Sequence, residues 1–294
     1  MDTRNAFFYG AGLLFLTLAK VKHQLQGYRT PKPFDVSETE RCVTYDRQVA
    51  DGFSSALRRY SRSTGDEALA GKHVLELGPG SDLGVGLFLL AHGAASYHAC
   101  DVNELAASVP VALYEAVLAR IEREVGAAVA TELRGELDKH RRSVESRLDY
   151  VVRKDFDLEA AFGRDSIDIV FSNAAFEHFD DIERTIAGLS RVCKTGALFV
   201  VSIDMQTHSR WIRDKDPNNI YRYSDALYRA FRFRGIPNRV RPYRYLEALK
   251  ANGWVDCEAR PVSTVSDSAT YDRQFRDPIN QMEYLTVQIS ARRA

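Results

Sequence analysis

The chain lacks several features that would have fixed its class at once. It has no net charge, because forty lysines and arginines offset forty aspartates and glutamates. A global positive field is therefore absent, and no nucleic-acid partner is expected. Its four cysteines, Cys42, Cys100, Cys193 and Cys257, are scattered without a Cys-x-x-Cys pair. Neither a thiolate zinc site nor a disulfide framework is indicated, and a reducing cytoplasm fits best. Long hydrophobic runs are missing too. The most apolar stretch, Ala6 to Ala19 (AFFYGAGLLFLTLA), falls short of the roughly 20 residues a spanning helix needs. It has the length of a signal-peptide core, yet Lys20, Lys22 and His23 follow it instead of a small-residue cleavage site. We read it as a helix that buries one face on the domain; the alternative is a peripheral membrane contact through residues 6–19.

What is present supports a large core: 45% of the 294 residues are apolar and 27% charged. Residues 1–70 read as an N-terminal helical segment. Turn signals at Gly27, Pro31 and Pro33 precede Val43, Val49, Phe53, Leu57 and Tyr60 at helical spacing, with a stop near Gly65. From residue 71 the texture changes. Short β-branched or aromatic runs at His73–Leu77, Ser96–Cys100, Leu148–Val152, Ile167–Ser172 and Ala197–Ile203 alternate with helical segments, and two later strands fit Trp254–Ala259 and Tyr284–Ser290. Such alternation implies an α/β fold, a Rossmann-like doubly wound sheet of seven mostly parallel strands. Two segments exceed a minimal crossover. One, about 104–147, is a helical insertion that Pro110, Gly126 and Gly135 should divide. The other, about 205–250, reads as a substrate cap. From Met205 to Lys250 it holds eleven basic residues against four acids, with aromatics between them.

The strongest chemical signal is HVLELGPGSDLGVG, from His73 to Gly86. A strand ends in an acid, Glu76, and a turn with Gly78, Gly80 and Gly84 leads into an apolar helix. Glycines let the backbone turn sharply and approach a ligand closely, and the crevice of an open parallel sheet lies beyond its carboxyl ends. The spacing is not the Gly-x-Gly-x-x-Gly of a dinucleotide fold, and Glu76 would repel a pyrophosphate. An acid there suits a cationic group such as an amino-acid ammonium. Asp101 ends the second strand, where a carboxylate can accept hydrogen bonds from ribose hydroxyls.

The run ELGPGSDLG with ACD at the second strand resembles the class I S-adenosylmethionine-dependent methyltransferases. FSNAAFEHFDD (Phe171–Asp181) and LSRVCKTGA (Leu189–Ala197) extend the resemblance to about residue 205. It implies S-adenosylmethionine as cofactor, with Gly78 and Gly80 at its methionine part, Asp101 at the ribose, Asp155 and Phe156 at the adenine, and Asn173 at its edge. SIDMQTH, YRYSD and NRVR in the second half are similar to bacterial methyltransferases of sugar and surface-polysaccharide synthesis. Ser202 and Thr207 depart from the histidine and aspartate usual at those places, while Asp204 and His208 are kept.

A sulfonium methyl is already activated, so such an enzyme must align an acceptor in line with it and exclude water. A hydroxyl acceptor also gains from a base. His208, just past the fifth strand, is the first candidate, and His178, after the fourth, the second. Glu177 reads as a group that orients a loop or the cofactor. Arg239, Arg241 and Tyr223 are the expected substrate contacts, for a small-molecule or saccharide acceptor. Asp204 and His208 alone are too few ligands for a metal, and none is expected. The alternatives are N-methylation, since Asn173-Ala-Ala-Phe176 distantly resembles an Asn-Pro-Pro-Phe motif, and a non-catalytic cofactor-binding or interaction protein.

Overall fold

The computed structural model describes residues 3–27, 38–63, 65–266 and 269–294; the turn expected at Pro31 and Pro33 lies outside them. Two helices come first, α1 (Thr3–Gln26) and α2 (Thr39–Ser61). An alternating series follows: β1 (His73–Leu77), α3 (Gly84–Ala91), β2 (Ser96–Asp101), α4 (Val111–Glu124), α5 (Ala127–Arg141), β3 (Leu148–Val152), α6 (Leu158–Phe162), β4 (Ile167–Asn173), α7 (Ile182–Val192) and β5 (Cys193–Asp204). The chain ends with α8 (Arg210–Arg213), α9 (Asp225–Ala230), α10 (Pro242–Ala251), β6 (Trp254–Thr264) and β7 (Tyr284–Arg293).

The seven strands form one sheet in the order β3-β2-β1-β4-β5-β7-β6. β1 to β5 are mutually parallel, and β7 runs antiparallel to both β5 and β6. Strand alternation splits the core in two. Val74, Tyr97, Ile169 and Phe171 face one layer with Leu57, Leu87 and Leu118, whereas Leu75, Leu77, Val170 and Phe199 face another with Ile186, Leu189 and Leu249. α7 shows why such segments become helices. Ile182, Ile186 and Leu189 recur on its buried face, and Asp181 caps it by accepting a hydrogen bond from the Arg184 amide at 2.8 Å.

α2 packs into the first core through Val43, Ala50, Phe53 and Leu57. Two expectations change in detail. Gly126 separates α4 from α5, but Gly135 lies within α5. β5 starts at Cys193, before the Lys-x-Gly turn, with a register shift opposite Ile167 to Ile169.

The segment after β5 builds a small core of its own. Ile220, Tyr221, Tyr223, Tyr228, Ile236 and Phe275 cluster there with Leu16 of α1. α1 is pinned to this cap: Asn219 Nδ2 donates to the Phe8 carbonyl at 2.9 Å, and Arg222 Nη1 donates to Asn5 Oδ1 at 2.7 Å.

Candidate active site

A cavity of about 570 Å³ opens at the carboxyl ends of β1, β2 and β4. The seven residues expected at the cofactor line it: Glu76, Gly78, Gly80, Asp101, Asp155, Phe156 and Asn173. Parallel pairing explains their meeting, because Glu76 stands in register with Ala99 and Phe171, and each chain leaves its strand on the same side.

Gly78 and Gly80 have φ of 73° and 82°, in the left-handed region that other residues enter at a cost. A Cβ on Gly78 would also come 2.6 Å from that of Ala175, so the turn after β1 and the loop after β4 touch only because Gly78 has no side chain. Phe156 and Ala174, with φ of 53° and 51°, accept this strained conformation beside the cavity. The Phe156 ring packs on Phe179 at 5.3 Å between centroids.

Electrostatically the β1 side of the cavity is acidic. Burial pushes the Glu76 carboxyl up to about 8, against the lowering effect of the hydrogen bond it accepts from the Tyr97 hydroxyl. Asp46 of α2 is raised well above its ordinary value by burial and by neighbouring Asp82. Asp101 is raised by burial while accepting from the Asn103 amide at 2.9 Å, and Arg234 opposes that rise. Asp155 goes the other way, held down at about 2 by the Arg153 guanidinium that bonds both its oxygens at 2.9 and 2.8 Å. Tyr45 and Asp46 escape sequence reading because α2 lies some thirty residues before the glycine turn. Tyr45 accepts from Asn173 Nδ2 at 3.2 Å across the cavity.

His178 lines the cavity, and the His208 ring stands edge-on to it at 4.7 Å between centroids. Burial lowers the basicity of both, and each ring also meets the Asp204 charge. The expected substrate contacts prove otherwise. Arg239 is buried and donates to the Ile220 and Tyr223 carbonyls and to Asp225, under the rings of Tyr228 and Phe275. Arg241 is buried and donates to the carbonyls of Asn280, Gln281 and Tyr284. Tyr223 is buried with its hydroxyl on the Tyr9 carbonyl and Asn219. All three hold the cap together, and Arg234 and Gly235 are the cap residues that reach the cavity.

The sheet order is that of the class I methyltransferase fold, and the acid-led glycine turn and the carboxylate ending β2 stand at the ligand-binding ends of its strands. The family described as a methyltransferase domain matches residues 111–201. A protein of Nostoc punctiforme, provisionally named an O-methyltransferase, is 14% identical over 97% of this chain and 69% of its own, with a TM-score of 0.50. An S-adenosylmethionine-dependent methyltransferase of Mesorhizobium loti is 17% identical over 83% of this chain and all of its own, with a TM-score of 0.42. The phosphoethanolamine N-methyltransferase 2 of Haemonchus contortus, in complex with phosphomonomethylethanolamine and S-adenosylhomocysteine, is 15% identical over 92% of this chain and 56% of its own, with a TM-score of 0.45. No curated protein matches the sequence. Residues 111–201 match a methyltransferase domain, whose cofactor is S-adenosylmethionine; the acceptor is a separate question.

Proposed function

We propose that the protein transfers the methyl group of S-adenosylmethionine to a hydroxyl oxygen of a small-molecule acceptor. The observation that carries this reading is the continuity of one cavity from the acidic glycine turn to His178, with His208 behind it. In this reading the backbone at Gly78 and Gly80 passes the methionine part, and Glu76 answers its ammonium. Asp101 takes the ribose hydroxyls, Phe156 and Asp155 the adenine, and Asn173 the edge of the donor. The acceptor oxygen enters from the histidine side, in line with the methyl carbon. Its lone pair forms the new bond as the carbon–sulfur bond breaks, leaving that electron pair on sulfur. Alignment and exclusion of water supply much of the rate.

The test is incubation with methyl-labelled donor and a metabolite extract, followed by identification of the labelled product. Label on a hydroxyl oxygen supports the reading; label on nitrogen makes the protein an N-methyltransferase, and donor binding without label transfer makes it a binding protein. With the acceptor in hand, His208→Ala should lower turnover by about 100-fold or more and leave donor affinity within about twofold. Unchanged turnover would remove His208 from the acceptor side.

A second reading concerns α1. We infer that it rests on an anionic lipid surface. Phe7, Leu14, Leu18, Val21 and Leu25 are exposed and fall on one apolar stripe of the helix, with the Phe7 ring edge-on to Trp211 of the cap. The charged residues of the helix, Arg4, Lys20 and Lys22, are all basic, and Lys20 donates to the Ala230 carbonyl of the cap at 2.7 Å. That combination suits anionic headgroups, whereas a second copy of the helix would set cation against cation. Among the described residues no helix is long and apolar enough to cross a membrane.

A further inference from the structure

The histidine end of the cavity contains a group that methyl-donor binding does not explain. Glu177 is 3% exposed, and neither carboxylate oxygen makes a well-formed hydrogen bond; only the backbone amides of Glu177 itself and of Asp204 approach the group. His178 Nδ1 is likewise buried without a partner, while the Gly235 backbone engages the same ring. A carboxylate shut away from water, with the Asp204 charge beside it, is strongly disfavoured unless a cation or proton meets it. One ligand atom each from Glu177, His178 and His208 lies within 4.8 Å of the others.

Sheet register brings them together. Asn173 of β4 pairs with Ser202 of β5, so the segments leaving both strands emerge side by side. Residues 177 and 178 from one therefore meet residue 208 from the other. From the sequence, Asp204 and His208 looked like an incomplete ligand pair. In the structure Asp204 accepts from Arg213 at 2.7 Å and from the Gln206 amide at 3.1 Å, and stands 3.8 Å from His208 Nε2. Its charge stands beside that ring, too far away for a hydrogen bond.

We propose that Glu177, His178 and His208 bind one divalent first-row transition-metal ion that receives the acceptor hydroxyl. Two imidazoles and a carboxylate suit Zn²⁺, Mn²⁺ or Fe²⁺, whereas Mg²⁺ and Ca²⁺ prefer all-oxygen sets. Three protein ligands leave positions open for substrate, the pattern of catalytic sites. Ligand atoms around such an ion stand about 3–3.5 Å apart, given metal–ligand distances of about 2.0–2.2 Å, so binding must draw the three inward. His208, with 31% of its side chain exposed, has room to move. The ion would lower the pKa of the bound hydroxyl, whose proton would pass to water; the oxygen would then take the methyl group as the carbon–sulfur electron pair returns to sulfur. The imidazoles thus serve as ligands in place of the general-base role that the sequence suggests for His208. The catalytic half of this proposal rests on the O-methylation reading above; the ion-binding half does not.

The experiment uses the full chain, stripped with chelator and titrated with Zn²⁺ and, separately, Mn²⁺. Stoichiometry is read by elemental analysis and Mn²⁺ binding by electron paramagnetic resonance. One ion per chain is expected, with at least tenfold weaker binding in Glu177→Gln and in His208→Ala. Glu177→Gln keeps the shape of the side chain and removes a buried charge, so it should fold; thermal melts should show metal stabilising the wild type and not this variant. Absence of binding by both ions, or binding that survives both substitutions, overturns the proposal. Methyl transfer to the identified acceptor should be lost in chelator and restored by metal, while calorimetric affinity for S-adenosylhomocysteine stays within twofold. Transfer that persists undiminished after verified metal removal overturns the catalytic half. Metal binding without any hydroxyl methylation defeats the functional reading instead and leaves the ion site standing.

Discussion

Glu76 has two neighbours that pull its proton in opposite senses. Burial favours the neutral acid and the Tyr97 hydroxyl favours the carboxylate; burial prevails, and the carboxyl sits at about 8. In the folded, ligand-free protein Glu76 is therefore mostly protonated at neutral pH. A cationic ammonium placed beside it favours the charged form, so donor binding should release protons. Calorimetry near pH 7 in two buffers of different ionisation enthalpy should give different apparent enthalpies, and affinity should rise with pH up to about 8. The sign for stability is the reverse. A folded-state value raised from 4.5 to about 8 contributes stability at low pH that is lost as pH climbs through that window. Glu76→Gln should flatten both dependences and weaken donor binding. Buffer-independent enthalpies would mean that Glu76 does not meet the ammonium. The residue was legible in the sequence as an acid ending a strand; its protonation was not, because that depends on Tyr97 across the strand pair and on the layers that bury both.

At the scale of the element, α2 serves the core and the site at once. Phe53 is buried and its ring lies 4.3 Å from that of Phe171 on β4. Phe53→Ala should cost about 3–5 kcal/mol in urea unfolding, as large-to-small changes of a buried aromatic do. It should also weaken donor binding, since Tyr45 and Asp46 on the same helix line the cavity. α1 behaves differently. A Cβ on Gly12 would stand 1.9 Å from Asn219 Oδ1 and 2.1 Å from the Tyr223 hydroxyl. Gly12→Val should therefore lift α1 from the cap, seen as faster proteolysis of the N-terminus, while donor affinity is retained. Resistance to protease equal to wild type would contradict this docking. Helical periodicity revealed α2 as a helix, but not that it lines the cavity. Periodicity names the apolar face and leaves its partner open. The cap misled for a related reason. Alternating arginines and aromatics look the same whether they grip a ligand or each other, and here Arg239 and Arg241 are spent on backbone carbonyls.

For the whole molecule, the proposed orientation has α1 against a lipid surface and the cap standing between it and the cavity. Sedimentation with vesicles of phosphatidylserine and phosphatidylcholine should bring the protein down, less so with phosphatidylcholine alone or at high salt. Leu14→Ser with Leu18→Ser should abolish it and leave donor binding intact. Equal recovery with neutral vesicles would remove the electrostatic part of the reading; concentration-dependent self-association lost in the same variant would make the stripe an interface between copies. The sequence by itself determined the seven strands to within a few residues at most ends, the doubly wound class and the acid-led glycine turn that lines the cavity. Each depends on local information: strand period, turn chemistry, and residues within one β–turn–α unit. The tertiary structure alone decided that α2 lines the cavity, that the cap arginines face inward, and that Glu177, His178 and His208 share one corner. These depend on the register of adjacent parallel strands and on packing between segments far apart in the chain, which no local pattern encodes.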